Sequence, residues 1–286
     1  MFQWANGHAA NFTWPITTCR RHFDDTCTCG MATLTVVNNE GWFITAAHVF
    51  DDFFAGVNQI KEANEHQAKR LAIESDTSLS RKERQKRLFA LNKVNPKATK
   101  NISFWPGRDG VNATNIGYVA ELDLAWGQLA PFDAAWVPEY PTFKNPDMNF
   151  GPGTSLCKLG FPFHEITPIF DQASGAFTMP PEAFPAPLFP IEGIFTRTIQ
   201  LPSTITSPTH PLLFLETSSP GLRGQSGGPI FDTKGRIWGM QARTLHYELG
   251  FETNVKQFLN AGAGPHVKSI LSALSDAGIM VTVSQD

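Results

Sequence analysis

The rhythm of hydrophobic and polar positions changes several times along the chain. Residues 32–37 and 42–45 are short runs of β-branched, aliphatic and aromatic side chains on either side of Asn38, Asn39 and Gly41. That pattern predicts two antiparallel strands joined by a tight turn. From residue 58 the period lengthens. Residues 58–74 predict a helix, and Ser80 followed by Glu83 forms a capping box that opens a second one. Leu88, Leu91 and Val94 recur there at helical spacing, so the segment 58–97 predicts a helical hairpin. Pro131, Pro138, Pro141, Pro146 and Pro152 then break any period, because proline fixes its own backbone, restricts its predecessor and donates no hydrogen bond. Residues 131–152 therefore read as a loop or linker. A second proline cluster at 180–190 is another surface loop, followed by strand-like runs at 194–200, 212–217 and 236–242. An amphipathic helix at 267–277 closes the chain, and no internal repeat is present.

Composition narrows the class. With 42% hydrophobic and 17% charged residues in 286 positions, the chain is globular rather than disordered. Twenty-three glycines and 21 prolines suit a loop-rich β protein better than a helical bundle. The net charge of −3 provides no bulk basic field for nucleic acid or an anionic membrane. The charge is uneven, however: ten Lys/Arg stand against five Asp/Glu over 61–97, leaving the remainder acidic. No apolar run is long enough for a transmembrane helix. The first nineteen residues hold neither Lys nor Arg nor a compact apolar stretch, so no secretory signal is expected and the expected location is cytoplasmic. Cys19, Cys27, Cys29 and Cys157 are too few for a disulfide scaffold, and the thiols read as reduced or metal-bound.

Three short motifs carry the chemistry. Residues 224–229 read Gly-Gln-Ser-Gly-Gly-Pro between two strand candidates. A serine hydroxyl is a poor nucleophile unless a base removes its proton, and a glycine two positions earlier lets two backbone N–H groups converge where an oxyanion develops. The glycines after the serine are expected to leave room for substrate backbone. His48 ends the small-residue exit of a strand, Phe43-Ile-Thr-Ala-Ala-His48, and Asp123 lies in the apolar stretch Glu121-Leu-Asp-Leu-Ala-Trp126. Singly, each has an ordinary structural explanation. Together and in this order they are a nucleophile, a base and a base-orienting carboxylate.

ITAAH, then DLA, then GxSGGP resembles the trypsin-like, chymotrypsin-fold serine proteases, particularly their bacterial members. Lys158-Leu-Gly-Phe-Pro162 resembles the opening of that family's second barrel, and Gly235-Arg-Ile-Trp-Gly239 the hairpin after its nucleophile. The resemblance implies an all-β fold of two six-stranded antiparallel barrels. The first would occupy 1–130 with a helical insertion near 58–97, the linker 131–152, and the second barrel with its C-terminal helix 153–286. It also implies a serine endopeptidase that works through Ser226, His48 and Asp123. Gly224 and Ser226 supply the oxyanion-hole N–H groups, and Pro220, Gly221, Ala242 and Thr244 line the substrate pocket. No cofactor is implied, and the partner is a protein or peptide substrate. The alternative is an inactive protease-fold binding module, against which stands the full set of triad residues.

Several positions depart from the family pattern. Gln225 stands where vertebrate-type members carry an Asp that pairs with a newly cleaved N-terminus, so activation by N-terminal cleavage is not expected. Ala242 replaces a serine that supports the aspartate. Pro220 replaces the pocket-floor Asp that selects Arg or Lys, so small or apolar P1 residues (those preceding the scissile bond) are expected, unless Glu248 or Glu252 enters from the next hairpin. Cys19, His22, Cys27 and Cys29 could ligate zinc in a tight C-x2-H-x4-C-x-C pattern, or be ordinary strand residues. The basic run at 81–87 is either a solvated helix face or a contact for phosphate or an acidic partner. The insertion is a candidate docking element for a regulatory protein. His8, His66, His164, His210, His246 and His266 have no motif around them and read as structural.

Overall fold

Strands from the two halves of the chain sort into two sheets. A computed structural model describes residues 1–91, 94–163, 165–202, 209–250 and 257–286. The first sheet contains β1 (Thr13–His22), β2 (Cys27–Val36), β3 (Trp42–Ala46), β4 (Thr99–Trp105), β5 (Asn112–Val119) and β6 (Leu124–Ala130). Their spatial order is β4-β1-β2-β3-β6-β5, with every pair antiparallel.

The second sheet contains β7 (Thr142–Phe143) and β8 (Ser155–Lys158). A separate two-stranded ribbon follows, β9 (Ile169–Asp171) with β10 (Ala176–Thr178). The second sheet resumes with β11 (Ile191–Gln200), β12 (Leu213–Thr217), β13 (Pro229–Phe231), β14 (Arg236–Met240), β15 (Arg243–Leu249), β16 (Gln257–Pro265) and β17 (Thr282–Val283). Its order is β15-β16-β12-β11-β8-β13-β14-β7-β17. The all-β, two-barrel class with a helical insertion and a C-terminal helix is thus the fold found. Within the proline-rich segment 131–152, β7 lies parallel to β14, and the N–H of Lys144 donates to the carbonyl of Ile237.

Helices refine the expectation. An unanticipated α1 (Gln3–Ala10) buries Ala5 and Ala9, and Phe2 beside it stacks edge-on against Phe231 of the second sheet. The helix expected at 58–74 is a correction: it begins eleven residues earlier, as α2 (Ala47–Ser75), so His48 lies in its first turn. Tertiary packing explains the extension. Phe50 and Phe53 meet Phe104 of β4 with ring centroids 5.3 and 5.5 Å apart, a contact with no signal in local periodicity. The second insertion helix, α3 (Arg81–Ala90), carries the expected capping box: Ser80 Oγ accepts from the N–H of Glu83, and Glu83 accepts from the N–H of Ser80. At the C-terminus α4 (Val267–Asp276) is capped by His266, whose Nδ1 accepts from the N–H of Lys268. Burial holds that imidazole down to about 4, which keeps it neutral and able to accept.

One buried apolar cluster joins Leu34, Phe43 and Leu124 of the first sheet to Phe214, Phe231 and Ile237 of the second. Hydrogen bonds also stitch the halves together. The N–H and Oγ1 of Thr33 donate to the carbonyls of Ser226 and Gly224, and Thr35 Oγ1 donates to that of Gly227. The first sheet therefore holds a loop that belongs to the second.

Candidate active site

The histidine corner is built from a helix start. Ala46, at the N-cap, has no side chain able to accept the free N–H groups of the first turn of α2. Asp123 takes that role from across the sheet. Its carbonyl accepts from the N–H of Ala47 at 3.1 Å, and its Oδ1 from the N–H of His48 at 3.0 Å. The same carboxylate accepts from His48 Nδ1, with 3.0 Å to each oxygen. An anion at a helix N-terminus is favoured by the helix dipole as well as by these bonds. Asp123 reaches this position because its own backbone is left-handed, with φ 50°, directly before β6. Arg243 adds a longer contact, 3.4 Å from Nη2 to Oδ2.

The electrostatics follow the geometry. The Asp123 hydrogen bond raises the His48 pKa above its ordinary value, against an opposing effect of burial. Burial pushes the Asp123 carboxyl up, but His48 and Arg243 outweigh it and the net shift is downward. His48 Nδ1 is thereby fixed as the protonated nitrogen, leaving Nε2 toward the cleft as an acceptor.

Ser226 sits on a loop that only glycine-rich sequence can form. Gly224 has φ 99°, and a Cβ there would stand 2.2 Å from the carbonyl oxygen of Phe161. Gly227 has φ 91°, and its Cβ would meet Thr33 O at 1.9 Å and Thr45 Oγ1 at 2.4 Å. This corrects one expectation: the space beside Gly227 is filled by the first barrel, not left for substrate. Gln225 is fully buried, its Oε1 accepting from the N–H of Leu222 and its Nε2 donating to Phe189 O. A neutral amide thus braces the loop without a charged N-terminus. Among the described residues, the N–H groups of Gly224 and Ser226 make no protein hydrogen bond. His48, Ser226 and Gly224 line one cleft of about 200 Å³ with Met31 and Arg223. No direct hydrogen bond joins Ser226 Oγ to His48. A larger cavity of about 630 Å³ adjoins it, bounded by Cys27, Cys29, Phe161, Leu222 and Gly224.

The pocket residues are brought together differently from expectation. Thr244 Oγ1 accepts from the N–H of Gly221 at 3.1 Å and donates to its carbonyl at 2.8 Å, linking the two walls. Ala242 is buried, its N–H donating to Ala263 O. Pro220 brings no charge, but its carbonyl accepts from the ammonium of Lys158 at 2.8 Å. Glu248 is exposed near the outer end of β15 and does not line the pocket, while Glu252 lies outside the described residues. Sequence reading missed Arg243, whose guanidinium reaches Asp123. Arg243 follows Ala242 directly, so the loss of the supporting serine was a signal to inspect its neighbour.

The zinc candidates do not converge. Cys19 Sγ lies 3.6 Å from Cys29 Sγ and 4.0 Å from Met179 Sδ. The hydrogen bond with Cys29, then burial, push the Cys19 thiol up, and the same bond pulls Cys29 down. Cys27 stands on the rim of the larger cavity, and His22 faces Lys97 O and Thr28 Oγ1 instead. No cluster of three or more His, Cys, Asp or Glu suited to a metal exists among the described residues. The basic run is largely solvated along α3, and His164 lies outside the described residues. No helix there is long and apolar enough to cross a membrane.

Comparison with known proteins adds an independent line. The chain matches the trypsin-like peptidase domain over residues 32–240. No curated protein sequence matches it. Among solved structures it is similar to the active form of the Rv3671c protease from M. tuberculosis, with TM-score 0.49, 14% identity, and coverage of 98% of this chain and 87% of that one. It is also similar to the HtrA-type protease AlgW with a tripeptide, with TM-score 0.49, 14% identity, and coverage of 96% and 63% respectively.

Proposed function

Because the chain belongs to the trypsin-like peptidases, we propose that it is a serine endopeptidase cleaving peptide bonds through Ser226, His48 and Asp123. Ser226 Oγ attacks the scissile carbonyl while His48 Nε2 takes its proton. Asp123 holds the Nδ1 proton and stabilises the imidazolium that forms. The N–H groups of Gly224 and Ser226 receive the developing oxyanion. Collapse expels the amine, protonated by His48, and water then releases the acyl group by the reverse sequence. The serine–imidazole contact tightens with substrate bound, as such pairs commonly do. The α2–α3 hairpin, with an apolar groove of about 1010 Å³ that includes Leu71, Leu88 and Phe89, is the candidate element for control by an acidic protein partner.

One observation carries this reading. Asp123 Oδ1 accepts both the backbone N–H and Nδ1 of His48, an arrangement that fixes the tautomer a general base needs, in the cleft shared with Ser226. A fluorophosphonate probe should label Ser226, and Ser226→Ala should abolish both labelling and peptide hydrolysis while keeping its circular dichroism. Undiminished cleavage by that variant would refute the mechanism.

A further inference from the structure

The residues expected to wall the substrate pocket surround an unusually polar spot. Thr244 and Gly262 are paired across β15 and β16, and Gly221 faces them through its bonds to Thr244. A Cβ at Gly221 would meet Gln241 Nε2 at 2.1 Å. A Cβ at Gly262 would meet Lys158 Nζ at 2.6 Å and Gln241 Oε1 at 2.8 Å. Both glycines therefore abut the Gln241 amide, and Gly262 abuts the Lys158 ammonium as well.

Lys158 is 1% exposed. Its Nζ donates to Ser219 O at 2.6 Å, Pro220 O at 2.8 Å and Thr217 Oγ1 at 3.1 Å, and among the described residues no carboxylate pairs with it. Gln241 Oε1, against the same Gly262, is buried without a hydrogen-bond partner among the described residues. Native interiors rarely leave such groups unsatisfied, and a buried ammonium without a counter-charge is costlier than an apolar side chain of similar size. The hydroxyls of Thr217 and Thr244 are already committed, donating to the carbonyls of Gly262 and Gly221, and among the described residues the acidic group that Lys158 feels is the thiol of Cys157. Burial alone drives the lysine down to about 7, a value that an arriving anion would raise again.

We propose that this pocket selects an acidic P1 residue, with Lys158 supplying the charge and the Gln241 amide standing beside it. The inference rests on the endopeptidase reading and sharpens its specificity, which Pro220 alone would leave apolar. Gln241 Oε1 has no partner among the described residues, while its Nε2 donates to Arg243 O at 2.8 Å and Ala263 O at 3.4 Å, so an entering carboxylate must displace the amide from those two carbonyls. An Arg or Lys at P1 meets a like charge, and Gln at P1 has the shape of Glu without its charge.

Fluorogenic peptides that differ only at P1 (Glu, Asp, Gln, Ala, Leu, Arg) test this directly. Cleavage after Glu or Asp should exceed cleavage after Gln at least about tenfold in kcat/KM, with Arg slowest. Lys158→Met should reduce the Glu-to-Gln ratio by about tenfold, and because the ratio is taken within one protein, loss of folded material cancels. If that variant does not fold, Lys158→Gln, which keeps a hydrogen-bond donor for the Ser219 and Pro220 carbonyls, tests the same ratio. Equal rates for Glu and Gln, a preference for Ala, or a ratio unmoved by these substitutions overturns the proposal. A chain labelled by fluorophosphonate but lacking acid preference overturns it alone; a chain neither labelled nor active overturns the endopeptidase reading too.

Discussion

Two charged groups are buried, one beside each sheet, and the protein treats them oppositely. Asp123 is 8% exposed and is matched: a backbone N–H, an imidazole and a guanidinium converge on it. Each partner favours the charged form of the other, so His48 moves up and Asp123 down. Lys158 is buried more deeply, has only neutral acceptors among the described residues, and is pushed toward its uncharged form. A buried charge satisfied from within is an internal fitting that keeps a side chain in place. One left without a counter-ion is, under the acidic-P1 proposal, reserved for the substrate.

The strongest test of the matched side is Asp123→Asn, which keeps the shape of the contact and removes its charge. Activity should fall by about 10⁴. The acid limb of kcat/KM, set by the need for neutral His48, should also move to lower pH, since the carboxylate is what raises that imidazole. Lost activity with an unmoved acid limb would mean that Asp123 does not act through His48.

Arg243→Met should have a smaller effect, about tenfold at most. Its direction is diagnostic. Arg243 lowers the His48 pKa, so its removal should shift the acid limb upward, opposite to the Asp123 variant. A downward shift would show that Arg243 acts by placing Asp123 rather than by its charge.

The unmatched side is open to a stability measurement. Lys158 lies at about 7 when folded, below its ordinary 10.5, so between those values the unfolded chain binds more protons. Stability contributed by this group should therefore rise as pH climbs from about 7, by a few degrees in Tm. Lys158→Met should flatten that rise; a profile identical in both proteins would show that the lysine titrates normally.

The smallest effect on chemistry is expected from trimming the insertion. Replacing residues 66–95 with a short Gly/Ser bridge should leave small-peptide kcat/KM within about twofold and alter cleavage of a protein substrate or response to a partner. Removing all of 58–97 also strips Gln59, whose Oε1 accepts from the N–H of Thr99, and buried Ala63, and should lower Tm. Unchanged kinetics on both substrate types would leave the hairpin without a role in activity.

These comparisons also show what sequence reveals. The short motifs around His48, Asp123 and Ser226 were legible because backbone constraints force glycine and small residues into fixed neighbourhoods, as the contacts at Gly224 and Gly227 illustrate. The Ser80–Glu83 box was legible because both partners lie within one turn. Arg243 to Asp123 spans 120 positions and Lys158 to Pro220 spans 62, so nothing local records either contact. The true start of α2 was hidden for the same reason: its first turn is capped by Asp123, 75 positions ahead of His48.

That start has a mechanical consequence. At 29 residues, α2 is about 44 Å long, a beam clamped at the end that bears His48 and packed on β4 through its Phe50 and Phe53. A sway of several ångströms at the distant tip pivots about this clamped end, so displacement shrinks in proportion to distance from it. At the imidazole it amounts to a few tenths of an ångström. The hairpin can be jostled by solvent or grasped from outside while the base keeps its aim.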